Sequence, residues 1–207
     1  MAVPKILVIP GSLRARSYNV RLAALATKEL SLADADVTRI SLLDYPLPIY
    51  DADLAERSGP PEHAVKLKRL MCAHQGVFIA SPEYNASITP LIKNTIDWIS
   101  VVRERGEPPL PAYQNRVFAL GGASPRRSGA TQSLLALRQV LAVGCGALVL
   151  AEQVIVPNAE QAFDAMDELK DASVARDLKV VMRKLVDTTR MLAGMRAAGV
   201  RELVREP

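Results

Sequence analysis

The first apolar run of the chain, Ile6-Leu7-Val8-Ile9, breaks at Pro10-Gly11 into Ser12-Leu13-Arg14-Ala15-Arg16-Ser17-Tyr18-Asn19. Hydroxyls, one amide and arginine at the end of an apolar strand make the donor set of an anion site. Ser12, Ser17 and Asn19 can donate neutral hydrogen bonds, and Arg14 can supply a fork of charge-assisted ones. Apolar spacing from Asn19 to Leu30 predicts a helix, so the loop also brings backbone N–H groups to a helix N-terminus, where phosphate is favoured. Gly11 is read as turning with φ above zero. The run contains neither G-x-x-x-x-G-K-[ST] nor G-x-G-x-x-G, which excludes a Walker-type ATP cradle and a Rossmann dinucleotide turn. The same residues also suit an ordinary strand-to-helix loop in which Ser17 or Asn19 only caps the helix.

A second motif follows the third apolar run: Ser81-Pro82-Glu83-Tyr84-Asn85-Ala86-Ser87-Ile88-Thr89-Pro90, continuing through Leu91, Lys93, Asn94, Thr95 and Asp97 to Trp98. Thr89 and Pro90 read as an N-cap and first helical residue, and Leu91, Thr95 and Trp98 share one helix face. Pro82 to Ser87 stays non-helical and offers backbone amides with an aromatic at Tyr84. A phosphate loop beside an amide-and-aromatic loop divides the labour as a mononucleotide with a planar ring requires.

The elements that must position these loops alternate. Strand-like runs occur at Lys5 to Pro10, Asp36 to Leu42, Gly76 to Ala80, Arg116 to Gly121 and Ala147 to Val156. Helical patterns fall at Asn19 to Leu30, Pro61 to Ala73, Pro90 to Val102, Gly129 to Val143 and Glu160 to about Met195. This predicts parallel βαβ units: an α/β, flavodoxin-like, doubly wound five-stranded parallel sheet of order 2-1-3-4-5 with helices on both faces. The Ser12 loop would then sit at the switch point. Ser41 to Pro61 is the longest non-periodic stretch, and its four prolines are expected to break any helix.

Composition sets the remaining expectations. With 49% hydrophobic and 23% charged residues, the 207-residue chain is expected to form one domain spanning 1–207. No stretch reaches the roughly 18 apolar residues of a membrane span, and no leader pattern opens the chain, so a cytoplasmic protein is expected. A net charge of +4, scattered without an aromatic-and-basic stripe, implies anionic small molecules and no nucleic acid. Cys72 and Cys145 read as buried small hydrophobes, and His63 and His74 as solvated helix ends. No His/Cys cluster has metal-ligand spacing.

The two motifs resemble those of the NADPH-dependent FMN reductases, which include quinone, chromate and azo-dye reductases. That family's first loop reads G-S-x-R-x-x-S-x-N, matched by Gly11, Ser12, Arg14, Ser17 and Asn19; its second reads P-E-Y-N-x-S followed by L-x-K-N-x-x-D-W, matched from Pro82 to Trp98. The resemblance covers about Lys5 to Val156. It implies an oxidoreductase passing hydride from NADPH or NADH through FMN to a small electron acceptor: a quinone, azo dye, metal oxyanion or free flavin. It further implies that Ser12, Arg14, Ser17 and Asn19 hold the FMN phosphate. Pro82, Glu83, Tyr84 and Asn85 would line the isoalloxazine, and a third loop, Gly121 to Ser124, would touch the ring through Ser124. The flavin carries the chemistry, so no catalytic side chain and no metal is expected, and Glu83 is read as structural.

One segment departs from the family. Where S-P-G and a Gly-Gly pair are usual, this chain has Ser124-Pro125-Arg126-Arg127-Ser128-Gly129, and the arginines are either a solvated loop or a site for the NADPH phosphate. The alternatives to the reductase are a flavodoxin-type electron carrier, disfavoured by +4 charge and 4% aromatics, and a non-enzymatic phosphate-ligand module. A homodimer or homotetramer is expected because the helix around Trp98 and the proline-rich loop offer more apolar surface than one sheet face needs.

Overall fold

The computed structural model describes the backbone of residues 3–203 and the side chains of residues 3–195. Five parallel strands, β1 (Lys5–Pro10), β2 (Asp36–Arg39), β3 (Gly76–Ala80), β4 (Val117–Ala123) and β5 (Leu148–Val156), form one sheet of order β2-β1-β3-β4-β5. Among the described residues six α-helices connect and cover them: α1 (Tyr18–Leu32), α2 (Ala52–Ser58), α3 (Glu62–Ala73), α4 (Pro90–Val101), α5 (Thr131–Gln139) and α6 (Ala172–Leu203).

Apart from the exposed Lys5 at the start of β1, the central strands are apolar at every position because both faces are covered, and their period-2 geometry sorts the side chains. Ile6 and Val8 of β1 and Phe78 and Ala80 of β3 pack beneath α1 and α6 with Leu22, Leu30 and Leu185. Leu7, Ile9, Val77 and Ile79 point the other way, onto Leu67, Ile92, Ile96 and Leu137 of α3, α4 and α5. The expected doubly wound order is thus the observed one. It puts the loops after β1 and β3 side by side at the carboxyl edge of the sheet.

Several expected boundaries move. Between Ser41 and Pro61 the chain does form a helix, α2, because the prolines flank it rather than interrupt it. Asp51 caps its start, accepting from the N–H groups of Asp53 (2.9 Å) and Leu54 (3.2 Å), and Gly59 ends it at φ +73°. Strand β2 stops at Arg39, before a 3-10 turn over Leu42–Asp44. The helix expected from Glu160 begins only at Ala172. Before it, Phe163 and Leu169 pair as an antiparallel bridge around a turn in which Asp164 Oδ1 accepts from Met166 N–H (2.8 Å) and Glu168 N–H (2.9 Å). Short acidic side chains bond the backbone locally there and outcompete the helix. After α5 the chain widens into a π-helical turn, Val140–Gly144.

The helix α4 is built as its sequence suggests. Thr89 Oγ1 accepts from Ile92 N–H (3.3 Å), Pro90 opens the first turn, and Lys93 pairs with Asp97 at 2.7 Å. Trp98 is fully buried, and its Nε1 donates to Pro48 O (2.7 Å) while Tyr50 meets it edge-on at 5.1 Å. Asn94 completes this tether, donating to Pro48 O (2.9 Å) and accepting from Tyr50 N–H (2.7 Å). The apolar surplus read around Trp98 is therefore absorbed inside the chain. His74 is also corrected: it is 6% exposed, with Nδ1 2.7 Å from Leu70 O, so it is not a solvated helix end. Cys145 is buried as expected, and burial pushes its thiol up to about 11, which removes it from thiolate chemistry near neutral pH. Cys72 is only partly buried. No helix among the described residues is long and apolar enough to cross a membrane, and among them no three His, Cys, Asp or Glu side chains cluster as a metal site.

Candidate functional site

The first loop leaves β1 at Gly11, whose N–H still pairs with Ala80 O at 2.8 Å. Gly11 does not take a positive φ. Its requirement is space: a Cβ there would lie 2.1 Å from Ile92 Cδ1 and 3.3 Å from Ala80 O, because α4 crosses directly above. Ser12 and Ser17 are both buried, at 9% and 5% exposure, and both hydroxyl oxygens accept from the backbone. Ser12 Oγ takes Arg14 N–H at 3.3 Å, and Ser17 Oγ caps α1 through Asn19 N–H at 3.2 Å. Neither hydroxyl donates a hydrogen bond among the described residues. The N–H groups of Leu13, Ala15 and Arg16 take no acceptor among the described residues, and Arg14 and Arg16 are exposed. The loop is thus a concentration of unused donors at the N-terminus of a 15-residue helix.

Asn19 has another task. Its Nδ2 donates to Ala123 O and its Oδ1 accepts from Ala123 N–H, both at 2.9 Å, at 3% exposure. This two-way clamp joins the start of α1 to the end of β4. The side chain expected to reach a phosphate is a bracket between two loops.

The second loop is equally prearranged. Pro82 O accepts from both Ser81 Oγ (3.0 Å) and Ser133 Oγ (2.8 Å), and those two hydroxyl oxygens are 2.8 Å apart. Glu83 Oε2 accepts from the N–H groups of Gln132 (3.1 Å) and Ser133 (3.3 Å), so its carboxylate caps α5, with the side chain only 2% exposed. Those two bonds give the Glu83 carboxylate a structural use at the start of α5. Tyr84 and Ser87 exchange backbone bonds of 3.0 Å across Asn85 and Ala86, both left-handed at φ 50° and 60°, which is a primed two-residue turn. Tyr84 is held at its neck and 47% exposed.

Strand β4 runs two residues further than expected, through Ala123, so Gly121 and Gly122 belong to the strand and the third loop starts at Ser124. Ser124 N–H donates to Val156 O (3.1 Å) and its Oγ accepts from Arg126 N–H (3.3 Å). Arg126 O accepts from Gly129 (3.0 Å) and Asn158 (3.2 Å) N–H groups, and Gly129 closes the turn at φ +62°. Sequence inspection missed Ser133, which gives no local signal, and Thr89 as a tie to the first loop, where its Oγ1 donates to Gly11 O at 3.3 Å.

The three loops emerge together from the carboxyl ends of β1, β3 and β4, at the switch point where doubly wound sheets bind ligands. Over this same frame, residues 4–161 match the NADPH-dependent FMN reductases. The chain belongs to that family. An NAD(P)H-dependent FMN reductase of Pseudomonas aeruginosa is 29% identical over 194 residues, covering 92% of this chain and 97% of its own. A 2-hydroxy-1,4-benzoquinone reductase of a Burkholderia species is 31% identical, over 87% of this chain and 93% of its own. The solved structure of FerB, a flavoenzyme NAD(P)H:(acceptor) oxidoreductase from Paracoccus denitrificans, superposes with a TM-score of 0.74 at 28% identity, covering 91% of this chain and 98% of FerB. The protein is an FMN-dependent NAD(P)H oxidoreductase acting on a small acceptor, and the sequence-derived fold and cofactors stand.

Proposed function

We propose that the chain, as one FMN-binding domain, reduces a quinone-type acceptor, with the FMN phosphate in the Ser12–Ser17 loop. What carries this reading is the pair of nearly buried hydroxyls, Ser12 and Ser17, neither of which donates a hydrogen bond among the described residues, beside unpaired loop N–H groups. Neutral donors at a helix N-terminus, backed by Arg14, fit a phosphate dianion and offer little to an apolar ligand. Asn19 fixes the loop rather than touching the phosphate. Backbone groups of Pro82, Glu83 and Asn85, the exposed Tyr84 and the start of the third loop at Ser124 border the flavin ring. When bound, FMN supplies the chemistry of accepting hydride from NAD(P)H and passing it on. The protein orients the cofactor, and no side chain is assigned a catalytic role.

The name of the Burkholderia relative supports a quinone over an azo dye or metal oxyanion. Titrating apoprotein with FMN tests the site. Arg14→Ala should weaken FMN by about 1.5–3 kcal/mol, or roughly 10- to 100-fold, the worth of a hydrogen bond to a charged group. An unchanged affinity sinks the phosphate assignment. Bleaching by NADPH followed by reoxidation with benzoquinone separates a reductase from an electron carrier and from a phosphate-ligand module.

The same reading places the enzyme in the cytoplasm, beside its nicotinamide supply, as a homo-oligomer. Its support is an open groove of about 600 Å³ lined by Ile88, Pro90, Ala136 and Val140, at whose edge Val143 is 81% exposed. A second copy covering this groove gives the simplest two-fold dimer. Light scattering that finds only a 22.4 kDa species at micromolar concentration excludes it.

A further inference from the structure

We propose that Arg126 is a specificity-determining residue that recognises the 2′-phosphate of NADPH; the inference rests on the reductase reading above. The Arg126 side chain leaves the third loop toward the second, where Nη1 lies 3.8 Å from Glu83 Oε1. That separation is too long for a hydrogen bond. Glu83 does not need the arginine, because its buried carboxylate already accepts two N–H groups from the start of α5. The guanidinium is therefore aimed by an anion without being consumed by it. None of its five N–H donors makes a hydrogen bond among the described residues, and the side chain is 66% exposed.

Its backbone is rigid. The N–H is held by Ser124 Oγ and the carbonyl by two further N–H groups, from Gly129 and Asn158. A charged fork on a fixed stem loses less entropy on binding than one on a loose loop. The FMN phosphate cannot be its target on this reading, since that group occupies the first loop while Arg126 points to the second. A reacting nicotinamide must lie over the flavin ring, so the adenosine end of the dinucleotide is what reaches the exposed rim. There the 2′-phosphate is the one dianionic monoester, the group an arginine fork binds best. Exposed Arg127 adds to the same positive field.

The experiment compares FMN-loaded wild type with Arg126→Ala and Arg126→Lys, using Arg176→Ala on α6 to control for loss of one positive charge. Calorimetry measures 2′-phospho-ADP-ribose against ADP-ribose, and steady-state kinetics give kcat/KM for NADPH and NADH. For Arg126→Ala the affinity ratio and the kcat/KM ratio should both fall 10- to 100-fold toward NADH, with Arg126→Lys recovering part of each and Arg176→Ala moving neither. Equal losses for both ligands would make Arg126 a pyrophosphate or loop-shaping residue and overturn the inference. Unchanged ratios in Arg126→Ala would do so as well. In either of these cases FMN binding and quinone reduction by wild type would leave the reductase reading intact, whereas wild type that binds no FMN would overturn that reading first.

Discussion

Asn19→Leu should destabilise the apoprotein by about 2–6 kcal/mol, because it strands the Ala123 N–H and C=O in a buried site and each orphaned group costs about 1–3 kcal/mol. Leucine has the same number of side-chain heavy atoms as asparagine but replaces the planar amide with two bulkier methyls, so overpacking adds to the loss of the two 2.9 Å hydrogen bonds. In a chain of this size such a loss lowers Tm by roughly 4–24 °C. FMN affinity should fall with it if the first loop takes the phosphate as proposed, since the clamp holds that loop against the third loop across 104 residues of sequence. Urea unfolding of apoprotein, followed by FMN titration, separates two roles. Were Asn19 chiefly a phosphate ligand, apoprotein stability would stay at the wild-type value and only the titration would move.

Gly122→Ala should cost about 3 kcal/mol, the upper part of the overpacking range, although one methyl is all it adds. The new Cβ would sit 2.5 Å from Ala130 Cβ and 2.7 Å from Ser81 O. Neither neighbour has a rotamer with which to yield, so β4, the second loop or the start of α5 must move. A Tm lower by roughly 6–12 °C is expected. Gly144→Ala serves as the comparison, because its Cβ meets nothing within 4 Å. A Gly122→Ala protein melting within about 2 °C of wild type would show that the three loops are less tightly interlocked than these distances require.

How far the site could be read in the chain depends on the range over which each residue acts. Ser17 as N-cap, and Thr89 with Pro90 at the start of α4, declare themselves in sequence because a cap bonds an N–H two or three residues away. The Arg14 guanidinium, with no hydrogen bond or ion pair among the described residues, is left available for the anion-binding role proposed for it. Asn19 and Glu83 sit in the same motifs and invite the same reading, yet their side chains are spent on Ala123 and on the start of α5, about 50 to 104 residues away. Gly11 shows the same limit: a glycine after a strand suggests a turn, but its reason here is Ile92 lying across it.

The sequence by itself determined the alternation of strands and helices, the sheet order it implies, and the two strand-end loops, one rich in hydroxyls and arginine and the other in backbone amides beside Tyr84. Those features follow from periodicity and local capping, which are written in consecutive residues. Only the tertiary structure decided that Trp98 closes on Tyr50 inside the chain, that Asn19 brackets two loops, and that Arg126 faces a carboxylate already satisfied elsewhere. Each of those outcomes requires two segments distant in sequence to meet at one register of the sheet, and no local pattern encodes the register at which they meet.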